Sequence, residues 1–437
     1  MSKTRVAVVG AGWAGCTAAV ELARRGHVVT LFESARTLGG RARAVEFNSK
    51  VLDNGQHILL GAYSQTLALM KRVGVDADTA LLRLPLQMRY PFDTGMDFKA
   101  ARLPAPLHVA VALFRATGLT RADKLSLARF NTSARWMGWT LHVDCSVAEL
   151  LARFDQTDNL IRLMWRPLCL AALNTPLENA SARVFLAVLR DSLGAKRSAS
   201  DMLLPRRDLG TLFPVAAAGF VERHGGTVRL GVKVGSIGRG PGRGWIVNDA
   251  EAFDAIVLAT PAGQSASLLR NVDGAAGTAA LLGAFTYEPI VTCYLQYDPA
   301  LRLTLPMYAL ADDAAAGHWG QFVFDRGQLD ASQAGLLAVV VSAAAAATAL
   351  DQGALAQAIA AQLATTLRLP ALQQPAWTQV IAEKRATFAC TPGLVRPSND
   401  IGVAGLALAG DYTASDYPAT LESAVRSGIA AAAFMHR

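Results

Sequence analysis

The segment VAVVGAGWAGCTAAVELARRGHVVTLFE, beginning at Val6, constrains this chain more than any other. Val6 to Val9 is an unbroken apolar run, the pattern of a strand buried on both faces of a parallel sheet. Gly10, Gly12 and Gly15 follow as G-x-G-x-x-G. In such a turn the first glycine makes the tight bend, the second lets backbone approach a pyrophosphate, and the third lets the helix pack closely on the strand. A helix beginning near Ala14 turns its unpaired N–H groups and positive dipole end toward the phosphates. A second strand, 28–32, ends at Glu33, where a carboxylate can accept hydrogen bonds from a ribose 2′-hydroxyl. An acid there disfavours a 2′-phosphate, so FAD or NAD suits the motif better than NADP. Glycine-rich turns also occur without ligands, but here strand, glycines, helix, second strand and acid come in order. Spacing alone does not separate FAD from NAD.

A chain of 437 residues exceeds the usual size of one domain and predicts two intertwined ones. Apolar residues make up 52% and charged residues 17%, an apolar composition for a soluble protein. No charge-free run reaches the roughly 18 to 20 residues that a spanning helix needs. The polar start, Met1 to Arg5, leads directly into a strand, which predicts no signal peptide and a cytoplasmic protein. The net charge of +8 is scattered rather than blocked, without the interleaved aromatics of a nucleic-acid binder. A basic, apolar surface suits a peripheral protein on the inner face of the cytoplasmic membrane, and equally an ordinary basic protein. Cysteines 16, 145, 169, 293 and 390 are widely spaced without a C-x-x-C pair, so reduced core residues are expected rather than disulfides or a metal site.

Further along, Gly40 and Arg41 lie in a loop, 37–43, placed to reach back to a pyrophosphate. Asp53, Asn54, Gln56 and His57, around Gly55, form a polar island between aliphatic residues. Residues 85–205 read as helices and loops. The apolar helix 107–119 reads as core, tunnel wall or interfacial anchor. Pro167, inside the segment 164–181, predicts a broken helix near a cavity. A helix over 209–224, a strand over 227–234, a glycine-rich turn over 235–244, and strands over 245–247 and 255–259 lead to Thr260-Pro261. Strands over 290–297, 321–325 and 336–342 precede an alanine tract, 343–349, expected to continue as a helix hairpin or one long helix to Arg368. A strand over 406–409, the turn Gly410-Asp411 and a helix over 421–434 complete the pattern. The cofactor domain is therefore expected to be discontinuous, over 1–84, 206–265 and 395–437. A substrate domain with a helical, lipid-facing part is expected over 85–205 and 266–394.

GAGWAG, Glu33, the GGRAR loop, VLAT-Pro and LALAGDYTASDYPATLESAVRSG together resemble the FAD-dependent amine oxidase and carotenoid desaturase superfamily. The resemblance covers both ends and the middle of the chain. It implies FAD rather than NAD, and an α/β, two-domain, amine oxidase-like fold: a Rossmann-like FAD-binding domain with a mixed β-sheet plus a helical substrate domain. Within that superfamily, DNGQHILLGAY, WRPLCLAALNTPLENAS and EKRATFACTP resemble the squalene-associated branch, the bacterial hydroxysqualene dehydroxylases. This implies an isoprenoid substrate, reductive loss of its hydroxyl with reduced FAD on the route to hopanoids, and an electron donor that the sequence does not identify.

Carried over residue by residue, the resemblance puts Gly10, Gly12 and Gly15 on the pyrophosphate, Glu33 on the adenosine ribose and Arg41 on phosphate. The Val234 peptide would meet the adenine, and Gly410 and Asp411 the pyrophosphate and ribityl chain. Thr420 and Leu421 would approach the isoalloxazine, with Gly55, Gln56 and His57 beside it. The chain departs from amine oxidases at their aromatic cage, where FACTP and Thr420 stand, which removes a site suited to an amine. The last 40 residues hold no cysteine for a covalent flavin tether there. His57 is the candidate for positioning or protonating the substrate, its alternative being a structural histidine beside the cofactor. A carotenoid-type desaturase and a flavin-containing isoprenoid carrier are the rival functions.

Overall fold

The apolar run before the glycine turn forms the strand Arg5–Val9, with Val6, Ala7 and Val8 wholly inaccessible to solvent. It is the middle of a five-stranded sheet in the order Thr227–Leu230, Val28–Glu33, Arg5–Val9, Ala255–Leu258, Leu406–Leu408. Every pairing is parallel. Burial on both faces explains why its central strands read as continuous apolar runs rather than as alternating ones. The computed structural model describes residues 4–435 apart from positions 93, 241 and 243; Met1 to Lys3 and part of the glycine-rich turn 235–244 thus lie outside the described residues.

Helix Trp13–Arg24 packs against the sheet and against the last helix, Leu421–Phe434. A β-carbon at Gly428 would lie 2.4 Å from the Ala14 carbonyl oxygen, so glycine is what lets these two helices approach. A second five-stranded sheet is antiparallel, in the order Met307–Ala309, Phe322–Asp325, Leu336–Val341, Tyr287–Gln296, Trp377–Phe388. Helix Gln352–Thr366 covers it, burying Leu355, Ile359 and Leu363 in one cluster with Val291, Leu295 and Val339. Helices dominate the stretch between residues 107 and 192. The α/β architecture expected from the sequence is present, and all five cysteines are buried and unbridged.

Several elements differ from their sequence expectations for local reasons. The apolar helix is Leu107–Arg115 and stops short of residue 119: the backbone turns extended at Ala116, with ψ 130°, and Gly118 beyond it takes φ +74°, where a β-carbon would sit 2.2 Å from the Gly95 carbonyl oxygen. Pro167 does not break its helix. A π-helical stretch, Ile161–Trp165, runs into the α-helix Arg166–Leu173, where the proline is in the first turn. The widened turn absorbs the missing N–H and the ring. The helix expected over 209–224 is two, Leu209–Leu212 and Pro214–Arg223, broken at Phe213 before a proline. The strand at 227 ends at Leu230, ahead of Gly231 with φ +71°. The alanine tract is not a long helix. Ala343 has φ +46°, Ala347–Ala349 forms a 3-10 turn, and the helix starts only after the Asp351 cap.

Candidate cofactor and active site

Gly10 ends the central strand with its N–H on the Phe32 carbonyl, 2.7 Å away. Its φ is +102°, and a β-carbon would lie 2.6 Å from the Ala259 carbonyl oxygen, so no other residue suits this bend. At Gly15 a β-carbon would meet the Gly10 carbonyl oxygen at 1.8 Å, which is the close helix-to-turn packing that the third glycine allows. Gly12 is different: nothing but the Gly40 Cα, at 4.0 Å, faces the place of its missing β-carbon. It is also the N-cap of helix Trp13–Arg24, and no side chain caps the helix there. A helix start with an open glycine and no side-chain cap, Ala14 in its first turn, suits a pyrophosphate.

The flanking groups complete a dinucleotide cradle. Glu33 accepts the Ala11 N–H at 2.8 Å on Oε2 and the Ala35 N–H at 2.9 Å on Oε1, which fixes its carboxylate beside the glycine turn. The Val232 N–H donates to the Glu33 carbonyl, so the loop carrying the buried Val234 runs along the end of the Glu33 strand. The Gly39–Gly40 loop lies on the glycine turn, with the Gly39 N–H donating to Ala11. Thr260, at the end of strand Ala255–Leu258, hydrogen-bonds Ser265, which in turn meets the Tyr412 hydroxyl at 3.1 Å.

Arg41 was expected on a phosphate, and the structure gives its guanidinium protein partners. Nη2 donates to both Asp411 carboxylate oxygens at 2.7 Å, and Nη1 to the Ala386 carbonyl at 2.6 Å. The loop of residues 37–43 and the Gly410-Asp411 turn are thereby joined. Gly410 donates its N–H to Ser427 Oγ. Thr420 caps the last helix with the Leu421 backbone at its start. The expected cofactor residues thus converge from three separated stretches of chain.

The polar island lies where the two sheets meet. Thr292, on the long strand Tyr287–Gln296, accepts the Gln56 N–H at 3.3 Å, and the Tyr294 hydroxyl donates to the Asp53 carbonyl. Asp53 Oδ1 accepts the Leu209 N–H, while Arg326 lies 3.9 Å from Oδ2. Burial raises the Asp53 pKa to about 6, against the pull of Arg326. His57 Nδ1 sits 2.7 Å from the Gly55 carbonyl oxygen. Because that oxygen can only accept, Nδ1 carries the proton and Nε2 keeps its lone pair. Burial holds the His57 pKa below the usual imidazole value, and the nearby Arg41 charge lowers it further.

Local reading of the sequence missed three groups. Arg326, fully buried, donates to Gln56 Oε1 at 2.9 Å and fixes that amide. Arg396 donates to the carbonyls of Asp411, Ser415 and Tyr417 and so holds the loop after Gly410. Glu422, buried in the last helix, accepts the N–H groups of Gln65 and Thr66 and caps helix Ser64–Arg72 from across the site. Arg326 opens a short 3-10 turn and Arg396 stands in a loop, neither with a pattern around it; Glu422 carried a signal in being the one acid of a helix rich in small residues. Phe388 of the FACTP segment is buried against Phe285, ring centroids 5.9 Å apart, and the Arg396 guanidinium. An open hollow of about 260 Å³ with a mixed polar and apolar lining, from Leu281, Phe285, Thr391, Pro392, Leu394 and Val395, adjoins it.

Comparison with known proteins bears on what the site holds. The family profile described as flavin containing amine oxidoreductase matches residues 13–436. A hydroxysqualene dehydroxylase of Sinorhizobium fredii is 27% identical, over 98% of this chain and 97% of its own. A probable zeta-carotene desaturase of Synechococcus elongatus is 26% identical but aligns over 53% of this chain and 51% of its own. Among solved structures, a triple mutant of putrescine oxidase superposes with a TM-score of 0.72 at 16% identity, covering 99% of both chains. The dinucleotide that this cradle takes is FAD.

Proposed function

This chain belongs to the flavin containing amine oxidoreductase family, and on that premise we propose that it reductively removes the hydroxyl of hydroxysqualene to give squalene, a step toward hopanoids. One observation carries the reading: a relative named for that reaction aligns along nearly the whole of both chains, whereas the carotenoid desaturase aligns over about half. The burial of Phe388 against Phe285 and Arg396 supports it from the site, since that ring is packed into the core rather than standing as the wall of an amine cage.

Bound in the cradle, reduced FAD supplies the hydride. The chain's own groups do the rest. Hydroxide is a poor leaving group, so the C–O bond needs a proton as it breaks. His57 is a poor source of that proton: its Nδ1–H is committed to Gly55, and its depressed pKa leaves the ring neutral. We assign it to positioning, holding the turn of Gly55 and Gln56 at the cofactor, with Nε2 an acceptor. Arg326 keeps the Gln56 amide in one orientation, with Nε2 donating to the His57 carbonyl.

The test is anaerobic product analysis. Chemically reduced holoenzyme with hydroxysqualene is expected to yield squalene. Oxidised holoenzyme with phytoene or zeta-carotene is the competing assay, because the cofactor motifs do not set the direction of hydride transfer. Desaturated product there, with no squalene in the first reaction, would overturn the proposal. An isoprenoid carrier would leave the flavin spectrum unchanged with either substrate.

A further inference from the structure

Helices Leu107–Arg115 and Arg121–Trp136 form an antiparallel hairpin. At one end Lys124 Nζ donates to the Phe114 carbonyl at 2.9 Å, and at the other the Arg135 charge bears on His108. The inner faces are ordinary core: His108, Ala112, Leu127, Phe130 and Ala134 are buried. The outer faces are not ordinary surface. Leu107 and Phe114 stand two turns apart on the first helix, Leu125 and Trp136 three turns apart on the second, and all four are exposed. Phe114 at 82% and Trp136 at 88% are the most exposed large apolar side chains among the described residues.

Charge is equally one-sided. The stretch 100–143 carries Arg102, Arg115, Arg121, Lys124, Arg129 and Arg135, and its single acid is Asp123. That acid is buried and bound by Thr120, Thr157 and Asn159, so it does not offset the outward arginines. Aromatic and aliphatic tips interleaved with guanidinium groups are what the headgroup layer of an anionic membrane accommodates. A second copy of the chain is a poor occupant, since two such faces repel each other. Among the described residues no helix is long and apolar enough to cross a membrane, so this face can lie on a bilayer but not span it.

We propose that the hairpin docks the protein on an anionic lipid bilayer, with Phe114, Leu125 and Trp136 entering the headgroup layer and the outward arginines pairing with lipid phosphates. The isoprenoid reading above adds only that the substrate resides in the same bilayer. Full-length holoenzyme, without substrate, is sedimented at low salt with phosphatidylcholine vesicles containing or lacking phosphatidylglycerol. Binding to the anionic vesicles alone is expected, lost at high salt. Phe114→Ser with Trp136→Ser should abolish it, and Arg115→Gln with Arg129→Gln should weaken it about fivefold per arginine. Unchanged flavin absorbance shows that each variant is folded. Full binding by both variants, or no binding of the parent protein at low salt, overturns the proposal. So does a concentration-dependent dimer that disappears in the serine variant while no vesicle is bound. Dehydroxylation is assayed separately in detergent, so either reading can fail without the other.

Discussion

Asp53 is a carboxylic acid held in the interior between a backbone N–H and a buried arginine. Its folded pKa of about 6 lies above the usual 3.8, so the folded state binds its proton the more tightly. Its contribution to stability is therefore full below 3.8 and is lost as pH rises through about 6. Asp53→Asn keeps an acceptor for Leu209 and removes that titration. The melting temperature of the parent protein relative to this variant should fall across that window and level off above it. For His57→Ala, loss of a positioning residue predicts a fall in turnover smaller than the about 100-fold or more that removing a general acid costs, measured on variant that retains FAD. A larger loss, with a missing alkaline limb in the pH–rate profile, would return His57 to the role of acid. The island holding both residues was legible because polar side chains between aliphatic ones need partners. The partner Arg326 was not legible: it lies more than 250 residues away, in a short 3-10 turn, and only the fold makes them neighbours.

At the level of elements, the C-terminal helix does more than complete the sheet layer. Through Glu422 it supplies the acceptor for the first free N–H groups of helix Ser64–Arg72, and through its Thr420 cap it starts beside Tyr63. Glu422→Gln replaces one acceptor oxygen by a donor facing those N–H groups. It is expected to cost about 1–3 kcal/mol, read as a lower urea midpoint with FAD saturating, and to loosen FAD when the free cofactor is diluted. Elements with a strong local signature were well placed by sequence: the first strand, the glycine turn, and the last helix at the same bounds, Leu421–Phe434. Those decided by tertiary contact were not. The apolar helix ended early, its chain turning extended at Ala116 ahead of a glycine packed against Gly95, and alanine's helical preference lost to the turn at Ala343, whose N–H is taken by Asn174.

For the whole molecule, the glycine motif predicted the neighbouring strands Arg5–Val9 and Val28–Glu33, whereas the order of the other strands in both sheets is set by distant segments whose apolar runs specify no neighbour. The residues expected to hold FAD are drawn from both ends of the chain, so binding should stabilise them as one unit. At a hundredfold excess over its dissociation constant, FAD is expected to add about 2.7 kcal/mol, seen as a single melting transition that moves up with cofactor concentration. Two transitions, only one of them responsive, would contradict this. The parallel sheet also sets an order of events during synthesis. Its edge strand Leu406–Leu408 and the helix that follows are translated last of the cofactor-holding parts, while the turn at Gly10 is among the first. If these parts together hold FAD, the early-made turn at Gly10 waits as an open-sided cradle, and its far wall is complete only once Phe434 has been added.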